Sequence, residues 1–150
     1  MTRGPHLQRT AGLLAVLCTS GCALMRPMPK PVEPWTSPTG LVVYELLKPE
    51  GRPVEPGDQV AVHYELRLAD GSVLDSSWSR GIPLTFQVGA GLVIAGFDEA
   101  MLGMVPGAIR KVVVPPALGY GATGAPPTIP PEAELTFEIE LMNVTPSTAD

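Results

Sequence analysis

The sequence predicts an α+β domain, an antiparallel sheet covering one small helix across residues 40–146. Three observations carry that prediction. Apolar residues alternate at period two in several stretches, which is the mark of half-buried strands. Only one stretch repeats at three- and four-residue spacing. A proline-dense segment lies ahead of both, where neither helix nor sheet can propagate.

The elements follow in order. Arg3 and Arg9 give a positive start, and the apolar run Ala11–Leu17 comes after it, so residues 1–21 read as a signal peptide. That run is too short to cross a bilayer, which takes about 20 apolar residues. Thr19-Ser20-Gly21-Cys22 resembles a bacterial lipobox, with Thr19 where such motifs usually carry Leu. The resemblance implies that Cys22 becomes a lipidated N-terminus; the other reading is an ordinary secretory peptide cut nearby. Residues 22–39 contain Pro27, Pro29, Pro31, Pro34 and Pro38 and are expected to be a semi-rigid linker of polyproline II type. Trp35 reads as an exposed aromatic within it.

From residue 40 the period becomes two. Leu41–Leu47 reads as a strand. Val60, Val62, Tyr64, Leu66 and Leu68 face inward while Ala61, His63, Glu65 and Arg67 face out, and Asp70-Gly71 then turns the chain. Leu84, Phe86 and Val88 alternate briefly, Ile109–Val114 is a β-branched run, and Leu135, Phe137, Ile139 and Leu141 alternate with polar residues. Phe97, Ala100, Met101 and Met104 recur at helical spacing between Gly96 and Pro106-Gly107, about two turns. So short a helix depends on packing against the sheet. Residues 147–150 are a tail.

Composition narrows the function. A length of 150 residues favours one domain plus an appended segment, and 45% hydrophobic residues can build a core despite 18 Pro and 16 Gly. With 10 Lys and Arg against 15 Asp and Glu, the net charge is −5, and removal of Arg3 and Arg9 with the signal makes it more acidic. No basic face is available for nucleic acid. On the lipobox reading Cys18 would leave with the signal and Cys22 would be acylated, so the folded part would have neither thiol nor disulfide. The histidines are His6, in the signal, and His63, on the outward strand face, so no histidine-based triad can be assembled. Gly119-Tyr120-Gly121-Ala122-Thr123-Gly124 spells the dinucleotide pattern but lies between Pro115-Pro116 and Pro126-Pro127, where no strand-to-helix turn can form. Asp98-Glu99 sit at the start of the helix, where carboxylates suit the dipole, and nothing supports a metal role for them. No metal or cofactor is expected.

Six segments carry more. They are Val62-His63-Tyr64, Asp70-Gly71-x-x-Leu74-Asp75-Ser76-Ser77, Val93-Ile94-x-Gly96-Phe97-Asp98-Glu99, Met104-x-x-Gly107, Leu118-Gly119-Tyr120-Gly121 and Ile129-Pro130-Pro131-x-Ala133-x-Leu135-x-Phe137. In this order they closely resemble the FKBP family of peptidyl-prolyl cis/trans isomerases, the macrolide-binding immunophilins, over essentially all of residues 40–144. The resemblance implies a twisted antiparallel sheet wrapped around one short helix. It also implies catalysed rotation about the amide before proline, with no nucleophile, metal or acid-base pair. Tyr64, Phe86, Val93, Ile94, Tyr120, Ile129 and Phe137 would then wall a proline pocket over Phe97. The Tyr120 hydroxyl and the Ile94 N–H would hold substrate carbonyls. Asp75 would lie at the edge beside Tyr64 and Arg80, as a structural ion pair, a group facing the distorted carbonyl, or both. Phe97 replaces a usual Trp, and Leu74 and Leu84 stand where rim aromatics are frequent. Without the resemblance, Tyr64, Phe86 and Phe137 are simply core residues at strand spacing.

The reading that results is an exported, lipid-anchored monomeric isomerase of the bacterial envelope. Ala23 after Cys22 resembles the outer-membrane sorting pattern, with the domain facing the periplasm. Its partners would be unfolded or nascent proline-containing proteins, macrolide ligands, and the membrane through its lipid. Two other classes remain: a chaperone-like binding module with little turnover, and an assembly factor with a vestigial groove.

Overall fold

The period-two stretches form the sheet. The computed structural model describes residues 33–148; the expected signal peptide, Cys22, the expected linker up to residue 32 and the last two residues lie outside the described residues. The strands are β1 (Trp35–Thr36), β2 (Val42–Leu47), β3 (Gln59–Leu68), β4 (Val73–Ser76), β5 (Leu84–Gln87), β6 (Ile109–Val114) and β7 (Leu135–Thr145). All pairings are antiparallel, in the order β1-β2-β6-β7-β3, and β4 and β5 share the far edge of β3. Between β5 and β6 lies helix α2 (Ala95–Met101), and α1 (Ser77–Arg80) is one turn beside β3.

Alternation decides which side is core. Val60, Val62 and Leu66 of β3, Val112 and Val114 of β6, and Leu135, Phe137, Ile139 and Leu141 of β7 are buried, together with Phe97, Ala100 and Met101 of α2. A bulge sets Ala61 opposite Asn143 but Val62 opposite Leu141, so the inward series of β7 shifts phase at Met142.

Two contacts fix α2 on the sheet. A Cβ on Gly96 would stand 2.5 Å from Val114 Cγ1, so the hydrogen of glycine permits this close approach. At the other end Arg110, only 4% exposed, donates from Nη1 to the carbonyls of Ala100 at 2.7 Å and Leu102 at 2.8 Å, which the helix leaves without partners. Its Nε donates to Glu45 on β2 at 2.8 Å, so the buried cation is paired.

Several expectations need correction. Among the described residues the sheet already includes β1, ahead of residue 40: Trp35 and Thr36 pair with Val43 and Val42, and Ser37 is buried, with its Oγ accepting from Leu41 N. The helix stops at Met101 because Leu102 is extended and Gly103 has φ of 77°, although Met104 remains buried in the turn that follows. It is not the only helix: α1 is capped by the Ser76 hydroxyl and closed by Gly81 at φ of 68°, and Pro116–Leu118 form a 3₁₀ turn. His63 is half-buried, stacked on Trp78 with ring centroids 5.7 Å apart. Ser147 of the tail is tied back, its N–H donating to Asp58 at 2.9 Å.

Asp58 is 1% exposed and also accepts from Arg52 Nη1 at 2.7 Å and Glu55 N at 3.0 Å. The Arg52 guanidinium, then these two amides, hold its carboxyl far below the ordinary value of about 3.9. A group depressed on folding contributes stability above its unfolded pKa and loses it as the pH falls towards its folded one. The Asp58→Asn variant is therefore expected to unfold at lower urea than the native chain at neutral pH, with the gap closing below about pH 4. A gap of constant size down to acid pH would contradict an ionised Asp58 as its source.

Candidate active site

The inner face of the sheet and one side of α2 leave a cleft between them. Phe97, fixed by α2, lies edge-on to Phe137 of β7 with centroids 5.0 Å apart, and to Tyr64 of β3 at 5.7 Å; Phe86 of β5 packs against it in a tilted arrangement at 5.7 Å. Edge-to-face pairs such as these hold ring orientations with about 0.5–1.5 kcal/mol each. Above them is an open cavity of about 210 Å³, lined by Tyr64, Leu66, Asp75, Leu84, Leu92, Val93, Ile94, Phe97, Tyr120 and Phe137. Sites for drug-sized ligands usually measure about 300–1,000 Å³. This one is smaller, with room for a small ring.

The polar groups are few. The Tyr64 hydroxyl donates to Asp75 Oδ2 at 2.5 Å, Arg80 pairs with the other oxygen of Asp75, and Arg80 Nη2 donates to the Tyr64 hydroxyl at 3.2 Å. Burial disfavours an ionised Asp75, but the hydrogen bonds from Tyr64 and Arg80 outweigh it and hold the carboxyl below its usual range. Burial, together with that carboxylate, pushes the Tyr64 phenol up. At neutral pH the pair is thus a carboxylate and a neutral phenol. Tyr120 stands at the mouth, 41% exposed, on the loop after the 3₁₀ turn. The Ile94 N–H, just ahead of α2, has no protein partner among the described residues.

Of the residues expected at the site, Tyr64, Asp75, Leu84, Val93, Ile94, Phe97, Tyr120 and Phe137 converge on the cavity. Phe86 and Ile129 are buried within the core and do not line it. Arg80 acts one step back, on Asp75 and Tyr64. Leu74 is half-buried on β4 and packs against the core without lining the cavity. Leu66 and Leu92 also line the cavity, beyond the residues the resemblance implies. Leu66 belongs to the same inward face as Tyr64, a signal visible in the alternation, whereas Leu92 is a loop residue 67% exposed and has no pattern to reveal it. The glycine-rich stretch from Gly119 follows the 3₁₀ turn and leads into an isolated bridge between Ala125 and Ile129, so it is a loop. No group of metal-binding side chains occurs among the described residues.

Comparison with known proteins agrees with this geometry. The family model for FKBP-type peptidyl-prolyl cis-trans isomerase matches residues 50–142. The Saccharomyces cerevisiae protein "Peptidyl-prolyl cis-trans isomerase FPR2" is 49% identical over 90 residues, 59% of this chain and 67% of that one. The Neisseria meningitidis serogroup B "FK506-binding protein" is 44% identical over 105 residues, 70% of this chain and 96% of that one. Two Arabidopsis thaliana relatives are matched over only 54% and 58% of their own length. The crystal structure of AtFKBP13 superposes with a TM-score of 0.70 at 35% identity, covering 75% of this chain and 99% of that one. The chain belongs to the FKBP-type peptidyl-prolyl cis-trans isomerase family.

Proposed function

We propose that the chain rotates Xaa-Pro bonds in exported proteins while tethered to the bacterial envelope by a lipid on Cys22. The observation that carries the enzymatic part is a hollow apolar cleft whose polar groups are confined to its edge. Resonance makes a planar amide dipolar, and the barrier of about 18–20 kcal/mol is mostly the loss of that resonance. A twisted imide is less dipolar, so an apolar floor of Phe97, Phe137 and Val93 penalises it less than the planar isomers. Binding that favours the twisted form lowers the barrier, and no proton needs to move. The Ile94 N–H and the Tyr120 hydroxyl then anchor carbonyls beside the rotating bond, and the Tyr64–Asp75 pair faces the carbonyl that turns.

Support for the location comes from the sequence ahead of the described residues: Arg3, Arg9, the Ala11–Leu17 run and Thr19-Ser20-Gly21-Cys22. A lipid anchor with more than one chain binds a bilayer firmly. The clients would be unfolded or newly exported proline-containing proteins, met in the periplasm by a monomer on the outer membrane. The cleft also suits a macrolide of the kind named for the Neisseria relative, with one ring inside and the remainder over Leu92 and Tyr120. The exposure of Leu92 at the mouth favours a second reading, capture of apolar segments with little turnover.

Exchange NMR on a Leu-Pro peptide with substoichiometric purified chain is expected to show accelerated isomerisation. Tyr120→Phe should lower kcat/KM about three- to tenfold and Asp75→Ala about tenfold, the range of one hydrogen bond, neutral or charge-assisted. A folded chain that binds the peptide at the uncatalysed rate would leave the capture reading. In cells, a fatty-acid probe is expected to label the native chain and not Cys22→Ser; an unlabelled native chain would exclude the anchor.

A further inference from the structure

The far edge of β3 has a gap. β5 covers Gln59–Val62 and β4 covers Glu65–Arg67, so His63 and Tyr64 meet no strand there. A side chain fills the place of the missing strand. Ser77, the first residue of α1, is fully buried, and its Oγ accepts the Tyr64 N–H at 2.8 Å. The same oxygen lies 2.9 Å from His63 Nδ1 and 3.3 Å from the Tyr64 carbonyl. Trp78 of α1 stacks on the His63 ring, 14° from parallel. One helical turn therefore grips Tyr64 twice, at the backbone through Ser77 and at the hydroxyl through Arg80.

The Ser77 hydroxyl has one proton to give. When the neutral imidazole carries its proton on Nε2, Nδ1 is bare, Ser77 donates to it at 2.9 Å and the Tyr64 carbonyl goes without that bond. When the imidazole is protonated, Nδ1–H donates to Ser77 Oγ, and the serine proton turns to the Tyr64 carbonyl. Ser77 is satisfied in both states. What changes is whether the Tyr64 peptide is held at its N–H alone or at its N–H and carbonyl together.

We propose that neutral His63 carries its proton on Nε2 and is a positioning residue for Tyr64, acting through Ser77 with Trp78 as its stacking support, and that its protonation at Nδ1 tightens the seat of the Tyr64–Asp75 pair. The proposal rests on the isomerase reading of that pair. Other ionisable groups near His63 are Glu140, its register partner on β7, and Glu65, two residues along the same face; Arg80 on α1 is engaged with Asp75. The hydrogen bonds of the Ser77 hydroxyl go only to His63 and Tyr64 among the described residues.

The test follows the purified chain from about pH 5 to 8, where histidine changes charge. His63 ring signals, the Tyr64 amide cross-peak and kcat/KM on the Leu-Pro peptide are recorded together. In the native chain all three are expected to move with one midpoint, kcat/KM rising about two- to fivefold on the acid side, the scale of one ordinary hydrogen bond. In Ser77→Ala the ring should still titrate while the amide and rate steps vanish, and His63→Gln should be flat in both. A Tyr64 amide that stays still while His63 titrates in the native chain would overturn the proposal without need of any variant. A rate step that persists in Ser77→Ala would overturn it too, because charge alone would then explain it. Lack of catalysis at every pH would count against the isomerase reading instead, and the amide would still decide the coupling.

Discussion

The approach of α2 to β6 is the constraint on which the site depends. Gly96 lets the helix backbone come within reach of Val114, and Arg110 reaches from the same strand to the carbonyls at the opposite helix end. Held at both ends, seven residues too few to be stable alone present Phe97 at a fixed height under the cleft. A larger side chain at position 96 would have to displace Val114, and the floor of the cavity would move with it. Fold stability and cavity shape are thus set by the same few contacts.

Electrostatics at the rim follow a second rule, that polar groups near an apolar cleft are held in place before a substrate arrives. Asp75 is bound by a phenol and a guanidinium from two different elements, so it stays ionised despite its partial burial. Tyr64 is positioned from three sides: β7 through sheet pairing, Ser77 at its backbone and Arg80 at its hydroxyl. Groups fixed in this way need little reorganisation when an imide turns among them.

Much of this was legible in the sequence where residues carry a period. β3 and β7 announce themselves by alternation and β6 by its β-branched run, and the period of two places Arg110 on the face of Val112 and Val114, an inward charge that could have been read as a buried pair. Asp70-Gly71 implied a returning strand, and β4 is that strand, although Val73-Leu74-Asp75-Ser76 is too short and polar to show a period. Helix α1 has four residues, fewer than any periodic signal needs, and is defined by its caps. The pairing of His63 with Ser77 across 14 residues follows from a gap between two edge strands, which exists only once the sheet is assembled. Most residues of the cleft lie within the ordered motifs, whereas strand spacing alone assigns Tyr64 and Phe137 to an ordinary core.

Catalysis without proton transfer requires a cleft that prefers an amide out of plane. Calorimetry can compare two small ligands that share a proline ring: an acyl-proline amide, which is planar, and an α-ketoacyl-proline amide, whose adjacent carbonyls stand nearly at right angles. Preference for the transition state predicts that the orthogonal compound binds at least about a hundredfold more tightly, and that Phe97→Ala removes most of the difference. Equal affinity for the two ligands on the folded chain would contradict it.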